Sequence, residues 1–208
     1  MSIVVGLTGQ SGSGKTAVSQ IFKDEGFYVI NCDLVARKAV TPNSEGALVL
    51  ESRFPQLFSN GELDRKRAAK LLFNDRKLLD EYNSLIFPYI TALISEETEL
   101  AKNNGERYIL LDAPTLFEAK ADKLCDVIVS CIADEEIRLK RIVKRDKISK
   151  LSARERFSSQ LNEEFFISHS DFVIVNNGKY SDMCSKAVDT AKKIKERNDG
   201  KIKEQKEK

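Results

Sequence analysis

The sequence contains very few of the residues that build metal centres. It has one histidine, His169, and four cysteines, no two of which form a C-x-x-C pair. A structural zinc site needs four histidine or cysteine ligands, usually in closely spaced pairs, so the sequence predicts no such site. The cysteines are Cys32, Cys125, Cys131 and Cys184. Because they are scattered and no secretory signal precedes them, they indicate reduced thiols in a cytoplasmic protein, and we expect Cys125 and Cys131 in the core.

Long apolar runs and a large excess of one charge are also absent. No apolar run approaches the roughly 18 residues of a membrane-spanning helix, and the opening residues MSIVVGLTG lack the positive segment of a secretory signal. The formal net charge is only +2, and the tail from Lys192 to Lys208 more than accounts for it. We therefore expect neither a membrane nor a nucleic-acid partner. The tail is typical of a solvated helix end, although it could also bind an acidic partner.

Five short and nearly continuous apolar runs predict buried strands. They are Ile3–Thr8, Phe27–Asn31, Tyr108–Pro114, Asp126–Ile132 and Asp171–Val175. Between the first two runs, apolar residues recur at helical spacing from Lys15 to Glu25, and Gly26 follows as a stop signal. A strand, a helix and a strand with short joints predict an α/β fold, a parallel sheet of about five strands flanked by helices.

Two long segments between these runs have helical rather than strand patterns. In residues 41–105, Pro88 suits a helix start and Gly105 a helix end. Residues 134–168 are helical and rich in charge, and such insertions commonly lie over the ligand crevice of an α/β sheet. We expect a nucleotide-binding core (1–40, 106–133 and 169–198), an acceptor-binding insertion (41–105), a lid (134–168) and a charged tail (199–208).

A phosphate-binding motif joins the first predicted strand to the first predicted helix. Gly9, Gly14, Lys15 and Thr16 match G-x-x-x-x-G-K-[ST] in full. Glycines let several backbone N–H groups point at an anion, and the helix N-terminus adds partial positive charge. We expect Lys15 on the β- and γ-phosphates of ATP and the Thr16 hydroxyl on Mg²⁺. The other residues expected to contact the nucleotide here are Ser11, Gly12, Ser13 and Ala17.

The motif alone does not name the molecule that accepts the phosphate. GTPases, ATPases and small-molecule kinases all use it, but the chain lacks an N-K-x-D guanine signature and its size favours a small-molecule kinase. Asp33 follows the second strand, where it could take a proton from an acceptor hydroxyl or only cap the next helix. Asp112 ends the third strand, where it could hold Mg²⁺ or only cap a turn.

Three arginines occupy one stripe of the predicted lid helix. Arg138, Arg141 and Arg145 lie at positions i, i+3 and i+7. The stripe could hold the transferring phosphoryl group, or it could form a solvated face together with Glu135 and Glu136. Spacing alone favours the solvated face, because most helical charge stripes are of that kind.

An ordered set of motifs resembles those of the dephospho-CoA kinases. The resemblance runs through roughly residues 3–190, and the order of the motifs is more specific than any one of them. The matching segments are GLTGQSGSGKT (6–16), VINCDLVAR (29–37), GELDR (61–65), DAPTLFE (112–118), RIVKRD (141–146) and VIVNNG (173–178).

The resemblance implies that ATP phosphorylates the ribose 3′-hydroxyl of dephospho-CoA, which is the last step of coenzyme A synthesis. It implies that Asp33 is the catalytic carboxylate, that Lys15 and Arg141 bind the ATP phosphates, and that Asn176 and Gly178 lie against the adenine. The residues implied for the acceptor are Asp33, Arg37, Leu63, Asp64, Arg65, Pro88, Asp112, Pro114, Leu116, Phe117 and Glu118.

Three features depart from the family pattern. Phe87 replaces a histidine in the insertion, Cys32 replaces a small alanine beside Asp33, and no arginine follows Gln160 in residues 161–171. We expect changed acceptor contacts at Phe87, and a thiol at Cys32 that could be oxidised. His169 lies in the arginine-free stretch, where we expect a surface or cap residue. The candidates to supply the missing positive charge are Lys140, Lys144 and Arg154.

Two other functions stay open from the sequence. One is a kinase for another small alcohol, such as a nucleoside, a nucleotide or shikimate. The other is a nucleotide-dependent switch protein, which the long insertion and Asp33 disfavour. In either case we expect a monomer or a weak homo-oligomer.

Overall fold

The computed structural model describes residues 2–72 and 75–206 and contains a five-stranded parallel sheet. The chain forms strands β1 (Ile3–Gly9), β2 (Tyr28–Asn31), β3 (Phe58–Ser59), β4 (Glu62–Leu63), β5 (Tyr108–Asp112), β6 (Val127–Ile132) and β7 (Phe172–Val175). The sheet order is β2-β5-β1-β6-β7, and β3 and β4 form a separate antiparallel pair. The five strands predicted from apolar runs are confirmed to within one or two residues at each end.

Helices cover both faces of the sheet and form the two insertions. Within the described residues they are α1 (Lys15–Asp24), α2 (Cys32–Lys38), α3 (Glu45–Arg53), α4 (Arg65–Leu72), α5 (Arg76–Asn103), α6 (Glu135–Asp146), α7 (Lys150–Ser158), α8 (Glu163–Ser168) and α9 (Tyr180–Lys206). None of them is long and apolar enough to cross a bilayer. Residues 1, 73, 74, 207 and 208, which belong to the predicted core, insertion and tail, lie outside the described residues.

Two apolar layers fix the sheet between its helices. On one face, Phe22 of α1 and Met183 of α9 pack over β1 and β6, and on the other, Ile94 of α5 packs over β5. Phe22 is fully buried, so its truncation to alanine would cost about 3–5 kcal/mol. Because the five strands are parallel, the segments that follow β1, β2, β5 and β7 all leave the sheet at its carboxyl edge.

Helix α5 joins the insertion to the sheet. It begins at Arg76, where Asp75 accepts hydrogen bonds from the backbone N–H groups of Lys77 and Leu78, and Pro88 lies inside it. The prediction of a helix start at Pro88 is therefore wrong. Proline removes one helical hydrogen bond, but Ile90 packs against both the insertion core and the sheet, and that burial continues the helix through Pro88.

The segment from α6 to α8 has a small apolar centre of its own. Leu139, Ile142 and Ala153 are buried there, and the Arg138 guanidinium lies 4.3 Å from the centre of the Phe157 ring. Ser149 caps α7 by accepting a hydrogen bond from the Ser152 backbone. Helices α6 and α7 therefore pack on each other beside the glycine-rich loop, whereas α8 packs against β6 and Phe117. We call the three helices together the α6–α8 unit.

Candidate active site

The loop between β1 and α1 has a backbone shape that requires glycine. Gly9 has φ +145° and Gly14 has φ +108°, values that side chains of L-residues disfavour. A Cβ on Gly9 would lie 2.1 Å from the Cys131 carbonyl oxygen, and one on Gly14 would lie 2.4 Å from Asn176 Nδ2. The loop is therefore held close to β6 and to the end of β7, with no room for side chains at these two positions.

Several backbone N–H groups of this loop are free to bind an anion. Within the described residues, no acceptor faces the N–H groups of Gly12, Gly14, Lys15 and Thr16. These groups stand at the N-terminus of α1, where the helix dipole also favours negative charge. The loop therefore has the donors that a nucleotide phosphate needs, and the Thr16 side chain beside them is exposed.

Lys15 and Asp112 form an ion pair at the carboxyl edge of the sheet. Asp112 ends β5, in register with Leu7 of β1 and Asn31 of β2, and only 8% of it is exposed. Its carboxylate therefore lies between the glycine-rich loop and the segment that carries Asp33. Within the described residues no backbone N–H donates to this carboxylate, so Asp112 caps neither a turn nor a helix there, and its partner is Lys15.

Among the described residues of the predicted stripe, Arg141 is the arginine whose side chain hydrogen-bonds to the glycine-rich loop. Its guanidinium donates to the carbonyl oxygens of Gly12 and Ser13, both at 3.2 Å, and to the Asn176 carbonyl oxygen at 3.1 Å. The side chain of Arg138 instead donates to the Ala133 carbonyl oxygen. Spacing favoured a solvated face for the whole stripe. The structure corrects this for Arg141 and for the buried Arg138, because α6 packs directly on the loop. Only the exposed Arg145 of the three fits a solvated face.

Asn176 and its neighbours close the loop from the other side. The Asn176 side chain is buried and donates to the Ser13 carbonyl oxygen at 2.6 Å. Gly178 is exposed two residues further on, and Ala17 lies on the first turn of α1. Arg141 and Asn176 thus both contact the loop that contains most of the other residues predicted to bind ATP.

Asp33 lies in the first turn of α2 and does not cap it. The cap is Asn31, whose side chain accepts a hydrogen bond from the Leu34 backbone N–H at 3.0 Å. The Asp33 side chain has no hydrogen-bond partner within the described residues, and it lines a large cavity. A purely capping role for Asp33 is therefore wrong, and its carboxylate is available to a ligand.

The cavity beside Asp33 has a volume of about 1440 Å³. Small-molecule sites commonly measure about 300–1000 Å³, so this one can hold a long ligand. Its wall combines three separate parts of the chain: the middle of α5, the loop after β5, and the end of α7. Phe87, the residue that departs from the family pattern, contributes an aromatic side chain to this wall.

The predicted acceptor residues divide into those on the cavity wall and those away from it. Pro88, Pro114 and Glu118 line the cavity with Asp33. Removal of water by the surrounding wall raises the pKa of Glu118, and the nearby positive charge of Arg76 opposes this rise.

Two residues of the DAPTLFE segment serve packing instead. Leu116 is fully buried in the core against the sheet. Its side chain lies so close to Gly6 that a Cβ added to the glycine would be only 2.7 Å from it. The Phe117 ring packs edge-on against the Phe165 ring of α8, with 5.0 Å between the ring centres. The structure therefore places neither side chain on the cavity wall, because both are held by apolar neighbours.

The remaining predicted acceptor residues also lie off this wall. Asp64 caps α4 by accepting from the backbone N–H groups of Lys66 and Arg67, and these hydrogen bonds lower its pKa. Leu63 packs on the insertion core, and the side chains of Arg65 and Arg37 are exposed. The structure therefore does not bring Leu63, Asp64 and Arg65 together with Asp33. Arg37 lies one turn after Asp33 on α2, but it is not on the cavity wall.

Gln160 is a site residue that the sequence reasoning missed. Its side-chain oxygen accepts a hydrogen bond from the Ser11 backbone N–H at 3.2 Å, and the same side chain lines the cavity. The preceding carbonyl group, that of Ser159, accepts from Arg76 of α5 at 3.2 Å. The end of α7 thus contacts both the phosphate loop and the insertion, which no local sequence pattern reveals.

The two residues flagged as unusual, Cys32 and His169, take no direct part in the site. Burial raises the pKa of Cys32 to about 12, and the negative charges of Asp112 and Asp33 add to this rise. The two halves of the site lie close together because Asn31, two residues before Asp33, pairs with Asp112 across β2 and β5. His169 ends α8 on the surface and stacks on Phe165, as expected for a cap residue.

Comparison with known proteins decides the family. The sequence model of the dephospho-CoA kinases matches residues 3–182. The chain belongs to the dephospho-CoA kinase family. A dephospho-CoA kinase of Fusobacterium nucleatum is 35% identical over 89% of this chain and 96% of its own length. One of Arabidopsis thaliana is 36% identical over 86% of this chain and 78% of its own length.

A solved structure agrees with this membership of the dephospho-CoA kinase family. The structure of a dephospho-CoA kinase from Campylobacter jejuni superposes with a TM-score of 0.70 at 27% identity. It covers 95% of this chain, and this chain covers all of it. The parallel sheet, the insertion and the α6–α8 unit therefore belong to one family fold.

Proposed function

We propose that this protein is a dephospho-CoA kinase that transfers the γ-phosphoryl group of ATP to the ribose 3′-hydroxyl of dephospho-CoA. The observation that carries the proposal is the position of Asp33 beside a cavity long enough for this acceptor. Among the residues that the structure describes, no hydrogen-bond partner occupies its carboxylate. The chain's membership of the family supports the choice of acceptor over other small alcohols. The free thiols within the described residues are consistent with a cytoplasmic location.

The donor side of the reaction uses the glycine-rich loop. Backbone N–H groups at the start of α1 bind the phosphates, and Lys15 turns from Asp112 to the β- and γ-phosphates. Arg141, already on the loop, stabilises charge on the transferring group. Asn176 and Gly178, at the end of β7, border the adenine.

The residues fit a magnesium ion on the donor side. Thr16 offers an exposed hydroxyl and Asp112 a carboxylate, and oxygen ligands of this kind suit Mg²⁺. When bound with ATP, the ion would neutralise charge on the β- and γ-phosphates. Release of Lys15 from its pair would leave the Asp112 carboxylate free for that contact.

The acceptor side depends on Asp33. Its carboxylate accepts a hydrogen bond from the 3′-hydroxyl, orients the oxygen towards the γ-phosphate, and takes the proton as the new bond forms. Positioning of the two substrates supplies much of the rate, since the transition state needs little covalent help from the protein. The α6–α8 unit excludes water, which would otherwise compete as acceptor.

An acceptor panel tests the proposed function. Purified protein with ATP, Mg²⁺ and dephospho-CoA should yield equal amounts of ADP and CoA, with the new phosphate on the 3′-oxygen by NMR. Adenosine, shikimate and water serve as competing acceptors at equal concentration. ATP turnover that is the same with and without dephospho-CoA would refute the proposal.

A further inference from the structure

The cavity contains cationic side chains that the reaction at Asp33 does not use. Four of them line it: Arg76, Lys120, Lys123 and Arg156. Two of the four are already paired, because Arg76 contacts Asp80 at 3.1 Å and Arg156 contacts Asp146 at 2.6 Å. Within the described residues, no carboxylate pairs with Lys120 or Lys123, so their charges are available to a ligand.

The two lysines are carried by a segment with a fixed backbone. They lie at either end of the first turn of a short 3₁₀ helix, Ala121–Leu124, in the loop after β5. The Lys120 N–H donates to the Phe117 carbonyl oxygen at 2.9 Å, and the Ala119 carbonyl oxygen accepts from Thr91 of α5 at 2.9 Å. A hydrogen bond therefore joins this loop to α5 on the opposite wall of the cavity. The backbone that carries the two lysines is held in place.

The lysine segment is next to the reactive end of the cavity. Asp33, Ala119 and Ala121 line a common recess, so the backbone on both sides of Lys120 borders the space beside the catalytic carboxylate. A ribose whose 3′-hydroxyl meets Asp33 carries its 5′-substituent away from that carboxylate. In dephospho-CoA this substituent begins with a diphosphate, which has two negative charges to be balanced.

We propose that Lys120 and Lys123 bind the diphosphate of the acceptor and so select acceptors that carry it. The proposal rests on the proposed function, since it takes the acceptor to be dephospho-CoA. Ammonium groups on flexible stems suit this task, because they can follow a diphosphate whose oxygens rotate. Charge-assisted hydrogen bonds are stronger than neutral ones. Because the diphosphate takes no part in the reaction at the 3′-hydroxyl, these bonds act mainly on acceptor affinity.

The test compares acceptors at saturating ATP in the full-length protein. In the double variant K120A/K123A, the KM for dephospho-CoA should rise about 10-fold or more, while kcat falls less than about threefold. The KM for adenosine, which has no phosphate, should be unchanged. The double variant K120R/K123R should recover most of the affinity, and K192A/K193A, which removes two exposed lysines of α9, is the matched control.

Two results would overturn the proposal. One is an unchanged KM for dephospho-CoA in K120A/K123A, and the other is an equal rise in KM for adenosine, which would indicate a change of cavity shape. Failure of the proposed function looks different, because the wild-type protein would then not phosphorylate dephospho-CoA at all. In that case, calorimetric binding of dephospho-CoA with a non-hydrolysable ATP analogue still compares the wild type with the lysine variants.

Discussion

Lys15 and Asp112 are bound to each other across the gap between the phosphate loop and the end of β5. The pair satisfies two mostly buried charges, of which the lysine side chain is 16% and the carboxylate 11% exposed. In the proposed mechanism ATP binds Lys15 and Mg²⁺ binds Asp112, so binding of the nucleotide complex would exchange one ion pair for two new contacts. Before that, the pair keeps the lysine in place.

Asp112→Asn should therefore lower kcat about 10²-fold and shift the Mg²⁺ dependence to higher concentration. The amide keeps the shape of the side chain but loses the charge that both Mg²⁺ and Lys15 need. Steady-state rates over a Mg²⁺ titration measure the shift, with Asp122→Asn in the nearby 3₁₀ helix as the control. A normal Mg²⁺ dependence in the variant would remove Asp112 from the metal site.

Asp33→Asn should lower kcat by about 10²–10⁴-fold, since the amide cannot take the acceptor proton. Nucleotide affinity should stay near that of the wild type, because Asp33 faces the acceptor cavity and not the phosphate loop. Rates and equilibrium ATP binding are measured separately. Asp80→Asn, which alters a carboxylate in the same cavity, should change kcat far less. A nearly normal kcat for Asp33→Asn would contradict the catalytic assignment.

Gln160→Ala should weaken ATP binding about 3–10-fold through loss of the hydrogen bond to Ser11. Gln160→Glu keeps an acceptor oxygen but adds negative charge beside the phosphates, so it should bind ATP more weakly than the alanine variant. Both are measured by ATP titration, together with ATP hydrolysis in the absence of acceptor. The exposed Gln20→Ala of α1 provides the control. If the alanine and glutamate variants behave alike, Gln160 does not lie near the bound phosphates.

Asp146→Asn should destabilise the protein at neutral pH, and about half as much at pH 3. Hydrogen bonds from Arg145, and then from Arg156, lower the Asp146 pKa from 3.8 to about 2. A carboxylate with a lowered pKa stabilises the fold above its unfolded pKa, and this contribution disappears as the pH falls from about 4 towards about 2. Urea unfolding at pH 7 and pH 3 measures the change, with the exposed Asp189→Asn as control. If the variant lost the same free energy of unfolding at both pH values, this linkage would be contradicted.

Cys32 should be inert towards alkylating agents in the folded protein. A thiol with a pKa of about 12 is ionised in only about one molecule in 10⁴ at pH 8, and Cys32 is also 5% exposed. Mass spectrometry after iodoacetamide treatment should therefore find modification at the half-buried Cys184 before Cys32. Rapid labelling of Cys32 in the native protein, at the rate seen in urea, would show that α2 opens readily.

Local patterns predict the donor half of the site better than the acceptor half. The phosphate loop follows from contiguous residues, and Asp33 and Asp112 follow from the rule that parallel strands end at one edge. The cavity wall could not be predicted in this way, because α5, the segment of Lys120 and Lys123, and the segment of Gln160 come together only when these three distant parts of the chain pack. At Pro88, a local rule gave the wrong helix start because packing on two apolar cores outweighs one lost hydrogen bond.

The uninterrupted run of α5 through Pro88 limits how the protein can move. The part from Arg76 to Phe87 is about 18 Å long at 1.5 Å per residue, and it projects from the half that is anchored on the sheet. The helix is weakest where this part meets the anchored half, because Pro88 leaves the Ser84 carbonyl without its helical donor. Because the insertion is built on α5, we expect any movement of the insertion relative to the sheet to bend the helix at this point.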